Sequence, residues 1–134
     1  MKSIALISWE LKRPFPLDQV RSRPGPGNKQ LAYIDARQLM ARLDQVVGAD
    51  GWQTKYTTVG SQTCCELSIR YGDQWVSKSD GAGETSIEGE KGQFSDSFKR
   101  AGVQHGVGRY LYRDGAVISP ELFDGKFPRP KDGE

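Results

Sequence analysis

The feature that most constrains the fold is a central run in which apolar and polar residues alternate. A period of two places the apolar side chains on one face of a β-strand. An upstream run from Trp52 to Thr58 alternates in the same way, and Gly72-Asp73 is typical of a two-residue hairpin turn into QWVSKSD. The pattern predicts a three-stranded antiparallel sheet with one buried face. The apolar members of the central run are Cys65, Leu67, Ile69 and Tyr71.

The predicted register has one difficulty. A tight turn at Gly72-Asp73 places Lys78 opposite Leu67, on the face that should be buried. Because a charged side chain is expensive to bury, the sequence indicates a β-bulge or a longer loop between the second and third strands.

Helical patterns flank the sheet on both sides. Between Asp35, a plausible cap, and Gly48, a plausible stop, apolar residues recur at three- and four-residue spacing. A second helix follows Gly81-Ala82-Gly83 and ends at Gly106 and Gly108. We predict an α+β fold in which a three-stranded antiparallel β-sheet packs against helices. The apolar stripe of the first helix is Ala36, Leu39, Met40, Leu43, Val46 and Val47, and that of the second is Phe94, Phe98, Ala101 and His105.

The chain divides into three segments. Residues 1–30 form an N-terminal segment whose end, RSRPGPGNKQ, contains prolines and glycines that argue for a basic loop. Residues 31–112 hold the core, and residues 113–134 form a short tail whose end, GKFPRPKDGE, we expect to be mobile. The N-terminus lacks the long apolar core of a signal peptide, and no apolar run reaches the roughly 20 residues of a membrane span.

The cysteines, Cys64 and Cys65, are adjacent in the predicted central strand. Neighbouring strand residues point to opposite faces, so a disulfide between them would be strained. His105 is the only histidine, which leaves too few ligands for a zinc site. We therefore expect two structural, reduced cysteines and a cytoplasmic location.

Positive charge is concentrated at the start of the chain. The sequence has a formal charge of +2, yet residues 1–42 hold eight lysines and arginines against three acids. This local surplus favours an anion-binding surface over a uniformly basic protein, although a solvated basic arm would give the same count.

Signatures of catalysis are weak. Gly125-Lys126 is followed by Phe127, so the chain has no phosphate-binding P-loop, and Gly106-Val107-Gly108 follows a helix rather than the strand of a dinucleotide site. His105 is better interpreted as a hydrogen-bonded core residue than as a catalytic one. Acids near the start of the second helix could hold a nuclease metal, but the helix dipole favours acids there in any case. They are Glu84, Glu88, Glu90 and Asp96. We predict a protein that is not an enzyme and uses no cofactor or metal.

Two adjacent cations, Lys99 and Arg100, lie in the middle of the second helix and turn away from its apolar stripe. Asp96 precedes Arg100 by four residues, a spacing that allows a surface ion pair but does not account for Lys99. Cations near a sheet that carries aromatic residues suit single-stranded nucleic acid, whose phosphates attract cations and whose bases stack. The aromatic residues considered are Trp52, Tyr56, Tyr71 and Trp75, each of which is individually more typical of a core.

Two segments resemble motifs of the Rad52 family of single-strand annealing proteins. LAYIDARQLMARLDQVVGADGWQ resembles the family's helix that runs from a Tyr-Ile-acid motif to Gly-Trp. DSFKRAGVQHGVGRYLY resembles its Asp-Gly-Leu-Lys-Arg-Ala helix with a glycine-rich end. The motifs occur in the family's order and with similar spacing, and the similarity is greatest to the short bacterial and phage branch.

This resemblance implies a β-β-β-α core that assembles into a homo-oligomeric ring. It further implies that the ring binds single-stranded DNA in a basic groove and anneals complementary strands without ATP, in recombination and DNA repair. Contact with a single-strand-binding protein or a recombinase is a further expectation, although the short tail does not match the recombinase-binding region of eukaryotic members.

Transferred position by position, the resemblance implies DNA contacts at Arg23, Tyr33, Lys99 and Arg100. A further basic residue of the eukaryotic members corresponds to Val103 here, and Arg109 is the candidate to compensate for it. Charge alone adds Lys29 in the basic loop and Arg70 and Lys78 in the sheet.

Two alternatives remain open from the sequence. A double-stranded RNA-binding module also combines three strands with helices, but the acidic segment ETSIEGE lies where such a module needs lysines. A nuclease would use Glu84, Glu88 or Asp96 with a divalent ion.

Overall fold

The computed structural model describes residues 1–83, 90–112 and 119–132, which contain four α-helices, five strands and two short 3₁₀ turns. The helices are α1 (Ile4–Lys12), α2 (Ala36–Val47), α3 (Glu90–Gln104) and α4 (Pro120–Lys126). The strands are β1 (Arg21–Pro24), β2 (Gln30–Tyr33), β3 (Trp52–Val59), β4 (Gln62–Tyr71) and β5 (Gln74–Ala82). The 3₁₀ turns are Leu17–Gln19 and Arg109–Tyr112.

The predicted three-stranded antiparallel sheet is confirmed, with β4 between β3 and β5. Tyr71 pairs with Gln74 across the turn, where Gly72 adopts a φ of 68° that glycine reaches without strain. Cys65, Leu67 and Ile69 are completely buried on the inner face of β4. The alternation in the sequence therefore predicted both the strand and its buried face.

The difficulty at Lys78 is resolved without a bulge. Leu67 pairs directly with Lys78 in a continuous register, so the expected bulge or longer loop was wrong. Leu67 is buried, whereas Lys78 is exposed and its Nζ donates to the carbonyl oxygen of Gln104, 3.1 Å away at the end of α3. A long side chain can cover apolar surface with its stem while its charge stays in water.

The inner face of the sheet is covered by α3, and α2 packs against α3. Phe98 stacks on Trp52 with ring centroids 5.7 Å apart, and Ala101 is fully buried. Gly102 allows α2 to approach closely, because a Cβ at this position would lie 2.9 Å from a methyl group of Leu39. The apolar stripe of α3 was thus predicted correctly at Phe98 and Ala101, while Phe94 is half exposed.

A buried arginine holds α2 against the N-terminal segment. The Arg42 guanidinium donates to main-chain carbonyl oxygens of residues 10, 11, 13 and 14, and its Cζ lies 4.1 Å from the ring centroid of Phe15. Burial lowers the pKa of Arg42 to about 10. Met40, which we predicted to be a core residue, is 40% exposed, so that assignment was wrong.

The N-terminal segment contains a helix that the sequence analysis did not predict. The Ser3 hydroxyl accepts a hydrogen bond from the Leu6 amide at 3.1 Å and so caps the start of α1. Leu6, Ile7 and Leu11 are buried, and their spacing of one and four residues is the signal that was available. Below about ten residues this pattern is too short to separate a helix from an isolated apolar patch.

We predicted an irregular loop for the segment RSRPGPGNKQ, and this prediction was wrong for part of the segment. β1 and β2 form an antiparallel hairpin in which Arg21 pairs with Tyr33 and Pro24 pairs with Gln30. Pro24 is the last residue of its strand, where a missing amide is tolerated. The Gly25 amide donates to the Lys29 carbonyl at 2.8 Å, and Gly27 has a φ of 69° in the turn. The prolines and glycines therefore shape the hairpin rather than prevent it.

The tail includes α4, which packs against α1. The rings of Trp9 and Phe123 lie 5.6 Å apart, and Arg13 forms an ion pair with Asp124 at 2.9 Å. The indole of Trp9 also donates to the carbonyl oxygen of Phe127. The described part of the tail thus has a docking position that its polar composition did not indicate. None of the helices in the described ranges is long and apolar enough to cross a bilayer.

Candidate nucleic-acid interface

Tyr33, the last residue of β2, is the centre of a cationic cluster. The Arg23 guanidinium carbon and the Lys99 Nζ each lie 5.6 Å from the centroid of the Tyr33 ring. These distances are within the range of cation–π attraction. Arg23 comes from the other strand of the same hairpin, whereas Lys99 comes from α3 and is brought to the hairpin by the fold. We call Arg23, Tyr33 and Lys99 the Tyr33 cluster.

The hairpin geometry explains the position of Arg23. Arg21 pairs directly with Tyr33, which makes Arg23 the diagonal neighbour of the tyrosine across the two strands. Diagonal neighbours are within reach when one of them is a long side chain and the other is aromatic. Arg21 itself forms an ion pair with Asp35 at 2.8 Å. Lys29 is exposed in the turn of the same hairpin.

Lys99 and Arg100 have different environments although they are adjacent. Lys99 Nζ is 4.0 Å from Asp96 Oδ1, a loose contact at the limit of an ion pair. Arg100 instead pairs with Asp80 of β5, through Nε at 3.2 Å. The surface ion pair that the sequence allowed between Asp96 and Arg100 is replaced by a different one, because Asp80 on the neighbouring strand lies within reach of Arg100 Nε.

Asp80 is a carboxylate with several hydrogen-bond donors around it. It accepts from the Gly81 amide at 2.8 Å, from Arg100 Nε, and from Gln104 Nε2 at 3.2 Å. Burial works to raise the pKa of Asp80, but the hydrogen bonds from Gln104, Gly81 and Arg100 outweigh it and lower the pKa. Asp80 thus stays ionised and fixes the Nε side of Arg100, whose side chain remains 58% exposed.

The end of α3 collects two further predicted residues. Lys78 Nζ and Arg109 Nη2 both donate to the Gln104 carbonyl oxygen, at 3.1 and 2.9 Å. Arg109 Nε also donates to the Val103 carbonyl at 3.1 Å. Cations are favoured at a helix C-terminus, where unpaired carbonyls carry partial negative charge. We call Lys78, Arg100 and Arg109 the helix-end cluster.

Arg70 is not brought together with the other predicted residues. It alternates with the buried residues of β4 and so lies on the outer face of the sheet, the face opposite α3. Its guanidinium is 5.9 Å from the ring centroid of Trp75 and 3.7 Å from Asp50 Oδ1. The predicted set therefore comprises the Tyr33 cluster with Lys29 nearby on its hairpin, the helix-end cluster, and the separate Arg70.

The aromatic residues of the sheet are divided between its inner and outer faces. Trp52 is stacked on Phe98, Tyr56 is in edge contact with Phe94 at 5.1 Å, and Tyr71 is stacked on His105 at 6.1 Å. These side chains lie on the inner face of the sheet, where Tyr56 remains 38% exposed. Trp75, which is 46% exposed, lies on the outer face.

His105 is a satisfied core histidine, as predicted. It is 4% exposed, and its Nε2 lies 2.8 Å from the Leu67 carbonyl oxygen. A carbonyl can only accept, so Nε2 carries the proton and Nδ1 accepts from the Tyr71 hydroxyl at 3.1 Å. Burial lowers the pKa of His105, which keeps the ring neutral at physiological pH.

The alternative metal site gains no support from the described residues. Among them, no group of three or more histidines, cysteines and acids could hold a metal ion. Asp96 faces Lys99, whereas Glu84, Glu88 and the Glu90 side chain lie outside the described residues. Cys64 and Cys65 are free thiols, and burial raises the pKa of Cys65 to about 11.

A shallow crevice adjoins the Tyr33 cluster. It lies between β2, the end of α3 and the 3₁₀ turn Arg109–Tyr112. Sequence reasoning missed this feature, although the aromatic end of the GRYLY segment was its available signal. Among the residues that line the crevice are Tyr33, Ile34, Lys99, Val103, Leu111 and Tyr112.

Comparison of the sequence with known proteins assigns the chain to a family. The model of the Rad52/22 family double-strand break repair protein matches residues 3–70, which include Arg23 and Tyr33. The chain belongs to the Rad52/22 family. The resemblance noted from the sequence motifs is thus confirmed.

Curated relatives of this Rad52/22-family chain include two bacterial proteins. The chain is 34% identical over 114 residues to the single-stranded DNA-binding protein DdrA of Deinococcus radiodurans. The matched region covers 79% of this chain and 54% of that protein. The chain is 36% identical over 114 residues to the protein of the same name in Deinococcus deserti. Here the matched region covers 79% of this chain and 56% of that protein. The chain spans about half the length of the curated relatives it matches. These matches give no support to the double-stranded RNA-binding alternative.

Proposed function

We propose that this chain binds single-stranded DNA and, as a homo-oligomeric ring, anneals complementary strands without ATP and without catalysis. The observation that carries the proposal is the Tyr33 cluster, in which cations from β1 and α3 lie equally far from one aromatic ring. Membership of a family of double-strand break repair proteins and similarity to two single-stranded DNA-binding proteins support the choice of ligand.

The chemistry of the Tyr33 cluster suits a single strand. Arg23 and Lys99 would each contact a phosphate, and the Tyr33 ring would lie against a sugar or base between them. Lys99 has only a loose contact with Asp96, so a phosphate oxygen that binds Lys99 Nζ displaces only a weak ion pair. A flexible strand can present phosphates and bases to the same surface, which a duplex with stacked and paired bases cannot do as readily.

The helix-end cluster would extend this surface along α3. Asp80 holds Arg100 in place, and the carbonyl of Gln104 holds Lys78 and Arg109. All three residues remain exposed to solvent. A bound strand would run from the hairpin, past Lys29 and the Tyr33 cluster, towards Arg100. Arg70 would have to contact a different part of a strand, because it lies on the opposite face of the sheet.

Ring assembly would repeat this small surface around an oligomer. The net charge of each chain is only +2, so repetition, rather than composition, would supply the field that holds a long strand. We expect strand pairing to occur in the cytoplasm during recombination and repair. Contact with a single-strand-binding protein or a recombinase remains a separate prediction.

The test compares labelled oligonucleotides of one sequence as single-stranded DNA, duplex DNA and duplex RNA, with EDTA present to prevent metal-dependent cleavage. We expect the tightest binding to single-stranded DNA, faster pairing of complementary strands without ATP, and a mass of many subunits by light scattering. Preferential binding to duplex RNA, or single-strand binding without any acceleration of pairing, would contradict the proposal.

A further inference from the structure

Tyr112 is an exposed aromatic residue at the rim of the crevice beside the Tyr33 cluster. Its side chain is 70% exposed, whereas Tyr110, two residues earlier in the same 3₁₀ turn, is 9% exposed. Tyr110 has a structural role, since its hydroxyl accepts from the Phe15 amide at 2.9 Å. Leu111 between them packs against the core and holds the turn in place. Tyr112 is therefore presented to solvent from an anchored segment.

The crevice beneath Tyr112 is apolar on one side and cationic on the other. Val103, Leu111 and Ile34 provide aliphatic lining, and Lys99 stands at the side shared with Tyr33. Arg23 does not line the crevice, but its Cζ lies 5.6 Å from the ring centroid of the same tyrosine. An occupant that suits both sides must join a flat apolar group to an anion, which describes a nucleotide of single-stranded DNA.

We propose that Tyr112 and this crevice form a nucleobase subsite next to the phosphate-binding cations. One phosphate lies at Lys99, and the attached base stacks on the Tyr112 ring with its edge towards Val103 and Leu111, while Arg23 contacts a neighbouring phosphate. This inference rests on the proposed function and adds to it the binding of a base. No residue assigned from the sequence, other than Tyr33, supplies an aromatic surface for DNA.

The size of the crevice determines how a base would bind. The enclosed space is about 20 Å³, enough for about one water molecule and too small for a base. A base would therefore lie across the mouth of the crevice rather than inside it. Val103, Ile34 and Leu111 offer no side-chain hydrogen bonds to a base edge, so we expect the subsite to accept all bases, with differences set by stacking strength.

The experiment compares an oligothymidine with an abasic oligomer of the same length and the same number of phosphates. For Tyr112→Ala we expect about a ten-fold loss of affinity for the oligothymidine, within the range measured for loss of one stacked base. We expect little change in affinity for the abasic oligomer. Tyr112→Phe is the matched control, because it keeps the ring and should bind both oligomers as the unsubstituted chain does.

Other outcomes separate this inference from the proposed function. If the unsubstituted chain binds both oligomers equally, with the same salt dependence, the nucleobase subsite is wrong while binding to phosphates stands. If Tyr112→Ala changes the protein mass measured by light scattering and lowers the affinity for both oligonucleotides equally, Tyr112 is a subunit contact and the inference is overturned. If the unsubstituted chain binds neither oligomer, the proposed function itself is wrong. Thermal unfolding of each variant identifies any loss that comes from misfolding.

Discussion

Adjacent cations in this chain have different partners, and the partners decide what each can do. Lys99 faces an aromatic ring and a loosely placed acid, whereas Arg100 is held by the ionised Asp80. The sequence pair Lys99-Arg100 indicated a functional surface but could not separate these environments. Separating them requires knowing that β5 lies beside α3, which is a tertiary relationship.

Protonation of His105 makes the free energy of unfolding depend on pH. Because burial lowers its pKa below the ordinary value of 6.5, the unfolded chain binds the proton more readily than the folded chain. The free energy of unfolding should therefore be at its full value above about pH 6.5 and fall as the pH drops below it. His105 is the only histidine, so no other histidine contributes to this window.

Urea unfolding at about pH 7 and about pH 5 checks this prediction. We expect the unsubstituted chain to lose stability between these values, by up to about 1.4 kcal/mol for each pH unit below 6.5. His105→Gln should be less stable at neutral pH but nearly independent of pH across the window. An equal pH dependence in both chains would mean that His105 is not the group responsible.

At the scale of secondary structure, the long periodic segments could be predicted and the short ones could not. The alternation in β3 and β4 and the apolar spacing in α2 each extend over enough residues to be distinctive. α1, the hairpin β1–β2 and α4 are short, and long-range contacts stabilise them. Examples are the bonds from Arg42 to the segment after α1 and the contact of Trp9 with Phe123.

Arg42 is the clearest case, because it was counted among the eight cations that indicated an anion-binding surface, whereas the fold buries it against main-chain carbonyls. Arg42→Ala should lower the free energy of unfolding by about 3 kcal/mol, since several buried carbonyls would lose their donor at once. Arg37→Ala is the matched control, an exposed arginine on the same helix that should change stability by about 0.5 kcal/mol or less. Equal effects of the two substitutions in denaturant unfolding would refute the internal role of Arg42.

At the scale of the whole molecule, the positive surplus of residues 1–42 is not one continuous surface. Lys2 pairs with Glu10, Arg13 with Asp124, Arg21 with Asp35, and Arg42 is buried against carbonyls. Arg23 remains beside Tyr33, where Lys99 from the other half of the chain joins it. The charge count predicted an anion-binding surface, but folding selects which of these cations stands beside Tyr33 and adds one from a distant helix.

The salt dependence of binding to single-stranded DNA tests the central claim most directly. Each phosphate contact contributes about 0.7 to the slope of log affinity against log salt concentration for a single strand. We predict that Arg23→Ala and Lys99→Ala each weaken binding and reduce the slope by about this amount. Lys55→Ala removes the same charge from an exposed position on the outer face of β3 and should leave the slope unchanged. An unchanged slope in the Arg23 and Lys99 variants, or an equal reduction in all three, would contradict the assignment of the Tyr33 cluster as the DNA-binding site.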